Sequence, residues 1–129
     1  MILSLRTDKP EAELGLFDSQ TKLDYVTWQA HRELAETIHK QLQALLSKQG
    51  KMLQDISGIV CYKGPGSFTG LRIGLSVANA LAYSLSAPII AVSGEDWQQN
   101  GIELLLSGKS DPIALPEYGA AANITLPKK

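Results

Sequence analysis

Apolar positions along this chain repeat first with a period of two, then with a helical period, and the change of period marks out the elements. Ile2 to Arg6 is a short apolar run that reads as a buried strand. Asp8-Lys9-Pro10 reads as a turn. Glu11 to Asp18 alternates, with Ala12, Leu14 and Leu16 on one face and Glu13, Gly15 and Phe17 on the other. Asp18 to Lys22 reads as a hairpin loop and Leu23 to Trp28 as the returning strand, which predicts an antiparallel meander of three strands.

From His31 to Lys48 the period becomes helical. Leu34, Ile38, Leu42, Leu45 and Leu46 form one apolar stripe. Glu33 and Glu36 lie near its start and Lys48 at its end, an order that complements the helix dipole. Gly50 closes it. After a connector at Met52 to Asp55, the run Ile56 to Tyr62 predicts a strand buried on both faces around Ile59, Val60 and Cys61. A second helix is predicted over 69–85, stopped by Ala87-Pro88. Ile89 to Val92 follows as a fifth strand. Ser93 with Asp96 predicts the start of a third helix over 97–107, with Gly108 as its cap. Ile113-Ala114-Leu115 predicts a last short strand, and the prolines and basic end beyond it predict an extended tail.

Three strands, helix, strand, helix, strand is not a plain alternation. The order predicts an α/β fold with a mixed five-stranded sheet, a meander extended by parallel strands through helical crossovers. It resembles one lobe of the actin/sugar-kinase/Hsp70-like (ASKHA, ribonuclease H-like) fold, with the lobe over 1–111 and the tail over 112–129.

Composition narrows the function classes. A length of 129 residues suits one ordinary domain with a real core. Twelve basic residues face thirteen acidic ones, so no electrostatic footprint for nucleic acid stands out. The one cysteine, Cys61, lies in an apolar run and has no internal disulfide partner, which suits a reducing cytoplasm. The N-terminus lacks the pattern of a signal peptide, and the longest helical stretch is broken by Arg72, Ser76 and Asn79, so no membrane span is expected.

The densest chemistry sits in Lys63-Gly64-Pro65-Gly66-Ser67-Phe68-Thr69-Gly70-Leu71-Arg72-Ile73-Gly74. Glycines give this turn conformations closed to other residues. Ser67 and Thr69 can cap the helix that follows. The free N–H groups of a helix start also favour an anion, so Gly64, Gly66, Ser67 and Thr69 are candidates for a phosphate- or nucleotide-contacting turn. The alternative is a well-capped strand-to-helix turn, and the residues alone weigh towards it. The spacing is not that of a P-loop, because Gly70 is followed by Leu71-Arg72.

Along the helix, Gly70, Gly74, Ala78 and Ala82 recur every four residues. A row of small side chains makes a groove for a second helix. With Leu71 and Leu75 beside the row, the helix is small or apolar nearly all round. Such a helix is either covered by the chain's own elements or packs on its sheet with one face and on a partner with the other; the chain is short for full cover, which favours the second, with Gly70, Leu71, Arg72, Gly74, Leu75 and Ala78 as partner-interface candidates and Leu34 and Ile38 of the first helix completing the surface.

The run 63–74, followed by Ala78 and Ala80-Leu81-Ala82, looks like the signature of the bacterial TsaB (YeaZ) family. An N-terminal Ile-Leu strand, a helix starting near a His/Glu pair and Ser57-Gly58-Ile59 stand in the expected order. The resemblance covers roughly residues 1–93. It implies a non-catalytic subunit in tRNA N6-threonylcarbamoyladenosine (t6A) formation. Such a subunit pairs by its helices with a TsaD-type transferase or a second copy of itself, works beside a TsaE-type ATPase, and meets tRNA indirectly. It implies no cofactor of the chain's own and leaves room for ATP or ADP at the partner interface.

The chain departs from that family in three ways. It is short, so the second lobe of typical members is expected to be missing, and with it an interlobe nucleotide cleft. At the end of the first strand, where relatives carry an acidic residue, stands Arg6-Thr7-Asp8. Finally, Ser93 to Trp97 lacks the paired metal-binding histidines of the transferase. His31 and His39 are eight apart, the wrong spacing for a shared ion on a helix. No residue is expected to be catalytic: Glu95 and Asp96 fit a helix start, Cys61 lacks an activating base, and Ser67 has no triad partners. Two other readings stay open: half of a nucleotide-dependent ASKHA phosphotransferase, or a self-associating domain with no tRNA role.

Overall fold

The computed structural model describes residues 1–66 and 68–117, without the side chains of His31 and Phe68. Ser67 of the expected turn and residues 118–129 of the expected tail lie outside the described residues.

The meander forms as its alternation demands. β1 (Ile2–Arg6), β2 (Glu11–Asp18) and β3 (Thr21–Gln29) pair antiparallel, and the β2–β3 turn shrinks to Ser19-Gln20, with Ser19 in the left-handed region at φ 53°. β4 (Gly58–Tyr62) then lies parallel to β1 on its other side, and β5 (Ile89–Val92) parallel to β4. The sheet order is β3-β2-β1-β4-β5. Each parallel step is a helical crossover, α1 (Leu34–Lys48) before β4 and α2 (Phe68–Leu85) between β4 and β5. The expected fold class is the observed one.

Side-chain alternation sends the sheet's two faces to different cores. Leu3, Leu5, Leu14, Leu16, Ile59 and Cys61 face α1 and α2, meeting Ile38, Leu42, Leu75 and Ala78. Ile2, Phe17, Val60 and Tyr62 face α3 (Trp97–Leu106), meeting Trp97 and Ile102. β4, central and parallel, is buried at every residue. Gly101 interrupts the helical pattern of α3 for a packing reason: a Cβ there would stand 2.3 Å from Val60 Cγ1. Gly50 and Gly108 take positive φ and end α1 and α3 as expected.

Three expectations are corrected. Residues His31–Glu33 form a 3-10 turn, and the α-helix begins at Leu34. Ser93 does not cap α3; its hydroxyl instead donates to the Gly64 carbonyl at 2.5 Å, tying the β5 end to the glycine-rich turn. Ile113 to Leu115 is not a strand. The side-chain amide of Asn79 on α2 satisfies the Ala114 backbone instead, donating to its carbonyl at 2.9 Å and accepting from its N–H at 2.8 Å. A side chain thus does what a neighbouring strand would, which leaves Ile113 and Leu115 more than half exposed.

Candidate functional site

The glycine-rich turn joins β4 to α2 beside the end of β1, and both strand ends shape it. Gly64 has φ +112°, a value that suits glycine, and its peptide to Pro65 is cis. Lys63 N–H bonds to the Val92 carbonyl at 2.8 Å, and Glu117 N–H to the Lys63 carbonyl at 2.7 Å. From β1, Thr7 Oγ1 donates to the Gly70 carbonyl at 2.8 Å.

The Arg6-Thr7-Asp8 departure now has a geometry. Arg6 Nε and Nη2 grip the Asp8 carboxylate at 2.7 and 3.2 Å, a bidentate pair that is largely buried. The guanidinium also stacks 3.9 Å over the Tyr62 ring, which packs T-shaped against Trp97. Donating this hydrogen bond to Asp8 raises the Arg6 pKa, against the opposing effect of burial. Asp8 in turn lies against Gly66: a Cβ on Gly66 would stand 2.4 Å from Asp8 Cβ. A carboxylate and its own counter-ion therefore already stand beside the approach to α2, two residues before the helix begins. Of the anion-turn candidates, Gly64 is buried, Gly66 and Thr69 are exposed, and Ser67 lies outside the described residues.

The partner-interface candidates divide sharply. Leu34, Ile38, Leu71, Gly74, Leu75 and Ala78 are buried in the chain's own core, Gly70 is half-buried and Arg72 is exposed. The small-residue row is thus a groove for the chain's own sheet and turn, and those six residues cannot face a partner in this fold. The physical reason is closeness: Gly74 sits against Thr7 with no room for a Cβ. What α2 offers outward is the adjacent stripe. Thr69, Arg72, Ser76, Ala80 and Tyr83 are exposed, and Ile73 and Val77 are half-buried beside them. Thr69, Arg72, Ile73, Ser76 and Val77 line an open depression of about 360 Å³. Of this stripe, sequence reasoning singled out Arg72 as an interface residue and Thr69 only as an anion-turn candidate. The signal for the rest was the four-residue step from Arg72 to Ser76, the polar positions of an otherwise apolar turn pattern. A second groove, of about 350 Å³, lies between α1 and the 3-10 turn Leu53–Asp55, lined by His39, Leu42, Gln43, Met52 and Leu81 among others.

Among the described residues no three His, Cys, Asp or Glu side chains converge as a metal site, and no helix is long and apolar enough to cross a membrane. Burial, with the Asp111 carboxylate nearby, pushes the Cys61 thiol up to about 12.

The family described as tRNA N6-adenosine threonylcarbamoyltransferase (TsaD) matches residues 26–116 of this chain. The chain belongs to that family, on its TsaB (YeaZ) side. The tRNA threonylcarbamoyladenosine biosynthesis protein TsaB of Bacillus subtilis is 37% identical over 102 residues, covering 78% of this chain and 44% of the relative. TsaB of Escherichia coli is 37% identical over 92 residues, covering 63% of this chain and 40% of the relative. The solved structure of YeaZ from Pseudomonas aeruginosa superposes with a TM-score of 0.66 at 30% identity, over 71% of this chain and 43% of that one. The chain thus spans less than half the length of the TsaB relatives it matches, and the matched part is the ASKHA-like lobe described above.

Proposed function

We propose that this chain is a non-catalytic partner subunit in t6A formation, docking a TsaD-type transferase through the solvent side of α2. The observation that carries the reading is the α2 stripe. A helix buried along its other sides presents Ile73, Val77 and Ala80 to solvent next to Arg72, an apolar strip with a charged border suited to a helix–helix contact. The name shared by the TsaB relatives, tRNA threonylcarbamoyladenosine biosynthesis protein, supports the pathway. The Arg6–Asp8 pair supports the non-catalytic role. The carboxylate nearest the turn is already committed to a guanidinium, whereas a metal-bound phosphate would need it free. A TsaE-type ATPase and the tRNA belong to the same assembly. ATP or ADP, where used, lodges at the partner interface, and the compartment is the cytoplasm.

The test is reconstitution. A tRNA transcript is incubated with a TsaD-type transferase, a TsaE-type ATPase, threonylcarbamoyl donor and ATP, with and without this chain. The expected result is t6A formation that depends on the chain, and no ATP hydrolysis by the chain alone. Equal modification without it would overturn the reading, and ATP hydrolysis by the isolated chain would favour a phosphotransferase lobe.

A further inference from the structure

The solvent strip of α2 continues past the start of the helix. Thr69 and Ile73 line a second open depression, of about 380 Å³, beside the one that runs on to Val77. Its other walls come from two turns: Lys9 and Pro10 after β1, and Ala30, Arg32 and Leu34 where β3 leads into α1. Backbone bonds hold these turns together. Ala30 N–H donates to the Pro10 carbonyl at 2.8 Å, and Glu33 N–H to the Ala30 carbonyl at 2.7 Å. Lys9 and Arg32 are both exposed. Neither forms an ion pair among the described residues, whereas Arg6 and Lys48 pair with Asp8 and Asp24. Among the described residues no carboxylate lines either depression. The strip therefore has a polarity: apolar along Ile73 and Val77, cationic at the end where α2 begins.

We infer that the strip takes an amphipathic helix of the transferase, with its apolar face on Ile73 and Val77 and aspartate or glutamate side chains at the end over Lys9 and Arg32. This rests on the docking reading above and adds to it the partner's chemistry and direction. The span fits: Thr69 to Val77 covers about 12 Å of helix, room for roughly two turns of a partner helix. Charge complementarity fixes the end. Two cations held on one wall without a counter-charge favour a carboxylate and disfavour a basic partner, which sets register and speeds encounter. The floor favours protein over nucleic acid. Pro10, Ala30, Leu34 and Ile73 surround the cations with apolar surface, which suits apolar side chains bordered by a carboxylate. A phosphate backbone brings no apolar groups to cover it.

Charge reversal tests this, with binding to a TsaD-type transferase read by calorimetric titration. Lys9→Glu and Arg32→Glu are each expected to weaken binding about 5- to 10-fold at about 0.05 M salt, and by less at about 0.5 M, where charges are screened. Lys109→Glu makes the same change of charge at an exposed position beyond α3 and should stay within about 2-fold of the native chain. The native complex provides a check that needs no variant to fold. A carbodiimide, which joins an amine to a carboxylate in contact with it, should couple Lys9 Nζ to an aspartate or glutamate of the transferase, read by mass spectrometry. The inference is overturned if both reversals bind like Lys109→Glu, or if Lys9 couples to no transferase carboxylate. It is equally overturned if the reversals spare transferase binding and weaken only binding of a tRNA transcript, which would assign the two cations to nucleic acid. A native chain that does not bind the transferase at all overturns the docking reading itself, and the inference with it.

Discussion

Gly74 lies directly against Thr7: a Cβ built on it would stand 2.0 Å from Thr7 Oγ1 and 2.8 Å from Thr7 Cγ2. The same hydroxyl donates to the Gly70 carbonyl one turn earlier in α2. One side chain at the end of β1 thus sets both the closeness and the axial position of the helix. Because Thr7 is fully buried, it has no space to swing away when the helix face changes.

Gly74→Ala is therefore expected to destabilise the fold by roughly 1–3 kcal/mol, the usual cost of overpacking, despite alanine's better helix propensity. Thr7→Ala in the same chain removes the nearest atom and should recover part of that loss. Urea unfolding of the two single variants and the double variant measures the coupling; additive costs would contradict the contact. Gly74→Leu should fail to fold, so it cannot report on partner binding.

Partner binding is better probed on the exposed stripe. Ser76→Arg with Ala80→Arg adds charge and bulk where a helix would dock, so affinity for a TsaD-type transferase should fall at least about 10-fold. Neither residue is buried, so stability should stay within about 0.5 kcal/mol of the native chain. Glu103→Arg, exposed on α3 across the sheet, is the control and should bind normally. Calorimetric titration alongside thermal melts separates the two effects.

Cys61 should be silent in the native state. Its thiol is fully buried, points at the Ile90 carbonyl at 3.6 Å and titrates near 12 because burial disfavours the thiolate. Labelling by an aromatic disulfide reagent at mildly alkaline pH is expected to be negligible in the folded chain and to follow unfolding when urea is added. Fast labelling without urea would mean that β4 opens locally.

β2 and α1 were legible in the sequence because each carries a clean period, and β1, β4 and β5 because they are apolar at consecutive positions, as buried strands are. What the sequence left hidden was direction. The row Gly70-Gly74-Ala78 signals close approach, but spacing cannot say to what; Thr7, far away in sequence, decides that the neighbour is the chain's own turn. Arg6 and Asp8 read as a defect in a phosphate site, whereas together they form a satisfied pair packed on Tyr62 and Gly66. Ile113 to Leu115 has the composition of a strand, but the Asn79 side chain supplies the hydrogen bonds of its Ala114 backbone, and no periodicity records that.

The α3 face of the sheet carries a polar chain that gives the fold an alkaline limit. Tyr25 hydroxyl donates to the Glu13 carboxylate and accepts from Gln98 Nε2 at 2.8 Å, and Gln98 also reaches Ser4 Oγ at 3.2 Å. Burial first, and then the Glu13 carboxylate, raise the Tyr25 pKa well above the ordinary phenol value. In the unfolded chain the phenol ionises near about pH 10. Above that pH the unfolded state has lost a proton that the folded state still holds, so stability present below about pH 10 declines as pH rises further. Tyr25→Phe should flatten this alkaline decline. At neutral pH it should cost about 1 kcal/mol, because Glu13 and Gln98 lose a shared partner. Urea unfolding of both chains at neutral pH and at about pH 11 measures it. An equally steep alkaline decline in Tyr25→Phe would assign the limit to another group.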